Sequence, residues 1–578
     1  MATEPEQAPD LAREALDTLV HQFARPMDFL RELVQNAIDA GSPRVEVWVR
    51  HDPAGQALEI HVDDFGAGMD ERIVDEQLTR MFASTKEGDL TRIGKFGIGF
   101  TSVFAIGPAA VLVRTGRHGE AWELLFHADR SFDKTRLDRP VTGTQVTLFV
   151  RATVEQAEVR ARQCQQVLRY WCRHADIPIT FEDRTGAQAA PAPAEADPFA
   201  AFGAPAAAAG GAVSINEPMD LDAPLQVEVE QDGVRVLAGY TRRPGFGWYN
   251  GGLTLLETGD PEALGTFAAR LGHLGLEIKC DALEHTLTRD NVVQNEVWVR
   301  AMQVAVIAAE QLREQLVARL EAAVAAREPL DAWLELLARE WAQPDLKDLR
   351  WWMEERCRIY DPGGTPVSLA QVRAQAEELG VVLLAGGDAA LQRAVMDAGR
   401  LVLPDSPAVR ALVAACFKPE QTLLGTRQVR AATLPEVFCL ATLVPDQELE
   451  PGEARLVAEA ASLLTEAHSQ SVAIAVGEFH AGEAQTADDF ALEGPAAGGL
   501  FRRLTRGRLR VPLFLKHRTV LLDRQHPIFS ALLLIAEDDL HTAAASLAHL
   551  LLDAADVGRS GRWTEVIAAA WRRVEEGA

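Results

Sequence analysis

Apolar and polar positions alternate with a period of two at 45–50, 58–62, 109–114, 122–126 and 145–150, which predicts half-buried strands. Helical spacing covers 11–40 and is interrupted near Pro26, where a new helix can start because proline is tolerated in a first turn. A second helix is predicted at 154–173 and a closing strand at 177–182. From Arg184 to Ser214 the chain is almost entirely Ala, Pro and Gly, with too few large apolar residues to offset its ordering entropy, so it reads as a linker. Strand patterning resumes at 225–238, with a hairpin signal at Asp232-Gly233, and recurs at 252–257 and 276–279. Residues 295–327 form a long Ala-rich helical stretch. Helix and short strand alternate over 369–417, where apolar runs at 381–385 and 401–403 are bounded by Gly or Pro, as in a small α/β unit. Helical patterns at 453–468, 541–554 and 563–574 complete the chain, and no segment repeats.

These elements predict an α+β protein. The expected domains are 1–184, a linker at 185–215, an α/β middle domain at 216–345, a small α/β region at 346–445, and a mostly helical α/β region at 446–578. Length agrees: 578 residues at ~150 per domain give three or four domains. Lys and Arg total 57 against 84 Asp and Glu, a formal charge of −27, which disfavours whole-chain attraction to nucleic acid or an anionic membrane. No apolar run approaches the ~20 residues that span a bilayer, and the acidic, polar start (Met1 to Pro9) is unlike a signal peptide. Six cysteines (Cys164, Cys172, Cys280, Cys357, Cys416, Cys439) lack metal-ligand spacing and read as small buried hydrophobes in a reducing, cytoplasmic setting.

Three clusters carry chemistry. Phe29-Leu-Arg-Glu-Leu-Val-Gln-Asn-Ala-Ile-Asp-Ala40 brings Glu32, Asn36 and Asp39 close together on a helix. Glu32 and Asn36, four apart, share a face and could handle a water and a hard cation together; a solvated helix face has the same spacing. His61-Val-Asp-Asp-Phe-Gly-Ala-Gly-Met69 runs a strand into an acidic pair and two glycines. A carboxylate there could accept from an exocyclic amine while glycine lets backbone approach a flat ring; a tight Asp-rich turn is the plainer alternative. Phe82-Ala-Ser-Thr-Lys-Glu-Gly88 and Ile93-Gly-Lys-Phe-Gly-Ile-Gly-Phe100 precede a helix start, an arrangement suited to an anion, with Lys86 and Lys95 adding charge. Neither a P-loop nor a Rossmann glycine pattern is present.

In this order the clusters resemble the GHKL ATPase superfamily of gyrase, heat-shock protein 90, histidine kinases and mismatch-repair ATPases, whose pattern is E-x-x-x-N-A-x-D-A, D-x-G-x-G-M, G-x-x-G-x-G-F. The phrases Phe29-Leu-Arg-Glu-Leu and Gly94-Lys-Phe-Gly-Ile-Gly-Phe are most like heat-shock protein 90, in its bacterial HtpG form, and Gly143-Thr144 matches the fourth pocket motif. The resemblance implies a Bergerat-type α/β sandwich that binds ATP and Mg²⁺. It implies Glu32 as general base, Asn36 as Mg²⁺ ligand and Asp39 beside them. Asp64 would bind the adenine amine with help from Thr144, in a pocket shaped by Gly66, Gly68 and Met69. Ser84, Thr85, Lys86, Gly94, Lys95, Phe96, Gly97, Ile98, Gly99 and Phe100 would form the phosphate-contacting lid.

Further on, Leu276-Glu-Ile-Lys-Cys-Asp-Ala-Leu-Glu-His-Thr-Leu-Thr-Arg-Asp-Asn291 resembles the segment of that family's middle domain in which an arginine reaches the γ-phosphate, here Arg289. The resemblance covers the first half of the chain well and the second half poorly. It implies a slow ATPase that closes as a homodimeric clamp on client proteins. The alternative is a related clamp acting on nucleic acid, for which the arginines at 502–518 are the one basic patch. A histidine kinase fits less well, because only a short acidic stretch precedes the first motif. His526, before Pro527, reads as structural.

Overall fold

The computed structural model describes residues 26–79, 98–186, 211–286, 291–343, 350–418, 420–422, 425–427, 429–468, 472–480, 490–494, 499–503 and 518–554. The chain divides into two compact units, Met1–Arg313 and Glu314–Ala578.

The first unit is built on an eight-stranded sheet. In chain order its strands are β1 (Val45–Asp52), β2 (Ala57–Asp64), β3 (Ala110–Arg117), β4 (Glu120–His127), β5 (Phe132–Arg136), β6 (Gly143–Arg151), β7 (Ile179–Asp183) and β8 (Val213–Ser214). Their spatial order is β5-β4-β3-β6-β2-β1-β7-β8, antiparallel except for the β1–β7 pair. Two helices, α1 (Phe29–Asp39) and α2 (Val154–Cys172), contribute apolar side chains to one core with the sheet. Val45, Val47 and Val49 of β1 and Leu58, Ile60 and Val62 of β2 meet Phe29, Leu30, Val34, Cys164 and Leu168 there. Thr153 starts α2 with a reciprocal cap: its hydroxyl accepts from the Gln156 N–H, and the Gln156 side chain accepts from the Thr153 N–H.

The alternation at β1 and β2 predicts a wet opposite face, and the structure departs from that. Glu59 and His61 are as buried as the apolar residues between them. Trp48 stacks on His61 at 3.4 Å between ring centroids, and the Arg184 guanidinium sits over Trp48 at 4.4 Å. Glu59 takes hydrogen bonds from Arg50 (2.7 Å) and contacts His61 Nε2 (3.0 Å), while Thr147 meets His61 Nδ1 at 3.0 Å. Burial pushes the His61 imidazolium down to about 4, so the ring is neutral at pH 7. Polar residues thus cover this face with their own planar groups, something no period-two pattern encodes.

A second, five-stranded sheet follows in the same unit: β9 (Gln226–Gln231), β10 (Val234–Gly239), β11 (Gly245–Asn250), β12 (Leu253–Thr258) and β13 (Gly275–Cys280), ordered β12-β11-β13-β10-β9. Asp232 and Gly233 both have positive φ (51° and 74°), the two-residue hairpin turn their sequence predicts. The sheet docks on the end of α2. Thr254 donates to the Tyr170 carbonyl (2.8 Å), Arg173 pairs with Glu257, Lys279 pairs with Asp176, and Asn216 donates to the carbonyls of Ala175 and Ile177. Within this seam Glu277 Oε2 is buried without a partner, and burial pushes the Glu277 carboxyl up to about 7. A long helix, α3 (Glu296–Ala326), continues the chain.

In the second unit, Val381–Leu384 pairs in parallel with Arg430–Thr433, flanked in sequence by helices Leu369–Leu379, Ala389–Asp397 and Pro407–Cys416. Beyond it, strands Phe438–Leu443, Val472–Phe479, Ala491–Gly494, Leu500–Arg503 and Arg518–Asp523 close into a small barrel. Helices Pro451–His468, Pro527–Asp538 and Leu540–Ala554 share a core with barrel strands. His526 caps the second of these helices, its Nδ1 accepting from the Ile528 N–H (3.2 Å). Arg502 and Arg503 donate to the Leu379 and Pro435 carbonyls, at 2.7 and 2.6 Å. Among the described residues no helix is long and apolar enough to cross a membrane. The expected helix at 11–25, most of the linker, the basic residues from 504 to 517, and the helix at 563–574 lie outside the described residues.

Candidate nucleotide site

Helix α1 places Glu32 beneath the surface and Asn36, one turn on, at the surface. Glu32 is reached by the short helix Ile98–Thr101: a Cβ added to Gly99 would lie 2.8 Å from Glu32 Oε2. The end of the third motif therefore lies directly against the carboxylate of the first. Beside Glu32, the buried Arg31 guanidinium approaches it at 3.8 Å and sits over the Trp171 ring at 4.8 Å. Trp171 Nε1 donates to Asp28 (2.9 Å), so this aspartate at the start of α1 braces α2 in place of capping its own helix. Burial lowers the hold of Arg31 on its proton, and Arg31 Nε has no hydrogen-bond partner. Arg31 and Trp171 were missed in the sequence, where nothing but helical phase marks them as inward.

The second motif closes against β3 and β6. Asp64 Oδ1 accepts from the N–H of Gly66 (2.9 Å) and of Thr144 (3.1 Å). Burial raises the Asp64 pKa while hydrogen bonding from Gly66 and Thr144 pulls it down, and burial prevails. Gly143 precedes Thr144 with φ +70°; a Cβ there would stand 2.2 Å from the Asp64 carbonyl oxygen, so only glycine lets β6 reach Asp64 this closely. Gly68 (φ +63°) meets the Gly116 carbonyl in the same way. Met69 N–H donates to Thr115 Oγ1 at 2.8 Å. Thr115, also missed in the sequence, lies opposite Thr144 in the β3–β6 register, the one clue that strand pairing would have offered.

Of the expected residues, Asp64, Gly66, Gly68, Met69 and Thr144 come together where the end of β2 meets β3 and β6, and Glu32 meets Gly99. Phe100 is buried against Phe126, on the core side of the short helix. Asp39 is exposed and accepts from Gln35 (3.0 Å). Ser84, Thr85, Lys86, Gly94, Lys95, Phe96, Gly97 and Arg289 lie outside the described residues, and Ile98 is placed only as the first residue of its helix. His285 and Val292 form an antiparallel bridge around the stretch containing Arg289, and the Arg31 charge lowers the His285 pKa after burial has done so.

The Asp64 wall offers a half-buried acceptor with backbone held close, and the Glu32–Gly99 corner a buried carboxylate against a short helix. Residues 26–147 match the family of histidine kinase-, DNA gyrase B- and HSP90-like ATPases. Among characterised proteins the chain is similar to the chaperone protein HtpG of Methylococcus capsulatus, 29% identical over 207 residues, covering 30% of this chain and 32% of that protein. It is also similar to chaperone protein HtpG of Nitrosospira multiformis (26% over 209 residues) and of Nitrobacter hamburgensis (29% over 209 residues), with the same coverage. The match thus spans about a third of the length of these relatives.

Proposed function

We propose, from the match of residues 26–147 to the histidine kinase-, DNA gyrase B- and HSP90-like ATPases, that the chain is a slow, Mg²⁺-dependent ATPase acting as a heat-shock protein 90-type chaperone. The observation that carries the reading is the Asp64 wall: one carboxylate oxygen accepts from two backbone N–H groups, where two glycines let neighbouring backbone approach closely. Asp64 accepts the adenine amine, and Asn36 is the residue that would hold Mg²⁺. Bound nucleotide supplies the scissile phosphoanhydride, and its metal neutralises phosphate charge. Glu32 orients a water and takes its proton, with Arg31 and Trp171 fixing where its carboxylate stands. On this reading Ser84 to Gly99 is the lid over the phosphates, and Arg289 is the arginine that reaches the γ-phosphate. Lid closure, not chemistry, sets the pace, so turnover times a clamp that a homodimer closes on client proteins in the cytoplasm.

The competing reading, a clamp on nucleic acid, draws on the basic patch at 502–518. Arg502 and Arg503 are engaged with backbone carbonyls, and the net charge of −27 opposes it. The test runs ATP-dependent suppression of aggregation of a denatured model client beside a DNA mobility shift. The chaperone reading expects protection with ATP, less with a non-hydrolysable analogue, and no shift. Salt-sensitive DNA binding with no protection would replace it with the clamp.

A further inference from the structure

We propose that the exposed apolar face of helix Pro527–Asp538 is a docking surface for a later segment of the same chain, residues 559–574, which lies along it as an amphipathic helix.

Between Ile528 and Ala536 the one polar residue is Ser530. A helix that is apolar all round belongs to an interior, not to a surface. Phe529 and Leu532 meet that expectation, buried in the core shared with helices Pro451–His468 and Leu540–Ala554. The opposite face does not: Leu534 is 67% exposed and Ile535 43%, and Ala531 is exposed as well. Ala531, Leu534 and Ile535 are three and four residues apart, so they form one stripe. Three exposed acids, Glu537, Asp538 and Asp539, stand at its end, where the helix dipole is also negative. The matching occupant is an apolar ridge accompanied by cations.

The chain supplies one. Residues 555–578 lie outside the described residues, and their sequence carries the argument. Trp563, Val566, Ile567, Ala570, Trp571 and Val574 recur at helical spacing on one face. Arg559, Arg562, Arg572 and Arg573 accompany them against a single acid, Glu565, in a chain whose net charge is −27. Twelve residues, 563–574, make a helix of about 18 Å, the length of the 12-residue helix that bears the stripe. So short a helix is marginal in water and needs a surface to pack on. The connection is long enough. Only Asp539 separates the two described helices, and the second, of 15 residues, spans about 22 Å. The eight residues 555–562 reach about 26 Å when extended, so Trp563 can return from Ala554 to the stripe. A tether this short gives an effective concentration in the millimolar range, which favours this segment over a second copy of the chain at micromolar concentration.

The experiment is hydrogen exchange of the full chain read by mass spectrometry, with light scattering on the same samples, for wild type, Leu534→Glu, Leu534→Met and Ala531→Arg. In wild type, amides over 564–574 should exchange at least about tenfold slower than in an unstructured chain. Leu534→Glu and Ala531→Arg should remove that protection, and Leu534→Met should keep it. Helix Leu540–Ala554 and the oligomeric state should be unchanged throughout. Unprotected exchange over 564–574 in wild type overturns the proposal. So does protection that survives Leu534→Glu, because the segment then packs elsewhere. Protection lost together with dissociation of an oligomer puts a second copy on the stripe and overturns it too. Should Leu534→Glu not fold, Ala531→Arg, which removes no buried atom, decides on the same readout.

Discussion

Asp64→Asn replaces one oxygen by an amide nitrogen and leaves the shape of the pocket unchanged. The amide oxygen keeps the two backbone donors, Gly66 N–H and Thr144 N–H, at 2.9 and 3.1 Å. The new NH₂ group must then face the direction from which a ligand amine arrives, donor against donor. The variant loses one charge-assisted hydrogen bond, about 1.5–3 kcal/mol, and leaves a half-buried donor unmet, about 1–3 kcal/mol. Together these give about 2.5–6 kcal/mol, or roughly a 60- to 20,000-fold loss of adenine-nucleotide affinity. The folded chain itself should be little affected, because burial already disfavours the Asp64 charge. Calorimetry with ADP, beside a melting curve without ligand, separates the two effects. The neighbouring Asp63→Asn is the control: Asp63 receives Trp48 Nε1 (3.2 Å) on the other side of β2 and should leave affinity within about threefold. Asp64→Asn binding ADP within threefold of wild type, with melting unchanged, would refute the assignment of Asp64 to the base.

Glu32→Ala should bind ATP normally and lose at least about 100-fold in turnover, the usual size of a general-base contribution; parental steady-state turnover would remove Glu32 from the reaction. Glu277 gives a pH signature. Its folded carboxyl titrates near 7, above its ordinary value of 4.5, so the folded state keeps a proton that the unfolded chain releases, and stability falls between those two pH values as pH rises. Discounted for the partial exposure of the group, the fall is about 1–2 kcal/mol, and Glu277→Gln should abolish it. Denaturant midpoints at pH 5 and pH 8 read this, and an identical pH slope in wild type and variant would contradict it.

Much of the first unit was legible because its local and long-range signals agree. The period-two runs became β1 to β4 and β6, the Thr153 start of α2 is a capping box, and Asp232-Gly233 is the hairpin turn its residue types demand. Strand β11 escaped because Gly245 and Gly247 interrupt its aromatic pattern, and its apolar residues are mostly buried without alternation. The barrel strands are short and pair across long stretches of chain, which periodicity cannot see. The pocket residues with motif spacing were readable, whereas Thr115, Arg31 and Trp171 act through tertiary neighbours. Each is ordinary in its own element and acquires meaning only from the strand or helix packed against it. The buried stack of Arg184, Trp48 and His61 shows the same limit, since polar residues in a strand pattern read as solvent-facing until their partners are known.

The most direct measurement of the central claim is a calorimetric titration of the full-length chain with ATP and Mg²⁺, paired with a melting curve. The account predicts one saturable site per chain and a ligand-dependent rise in the melting temperature of the amino-terminal domain. No binding heat, and a melting curve indifferent to millimolar nucleotide, would contradict it.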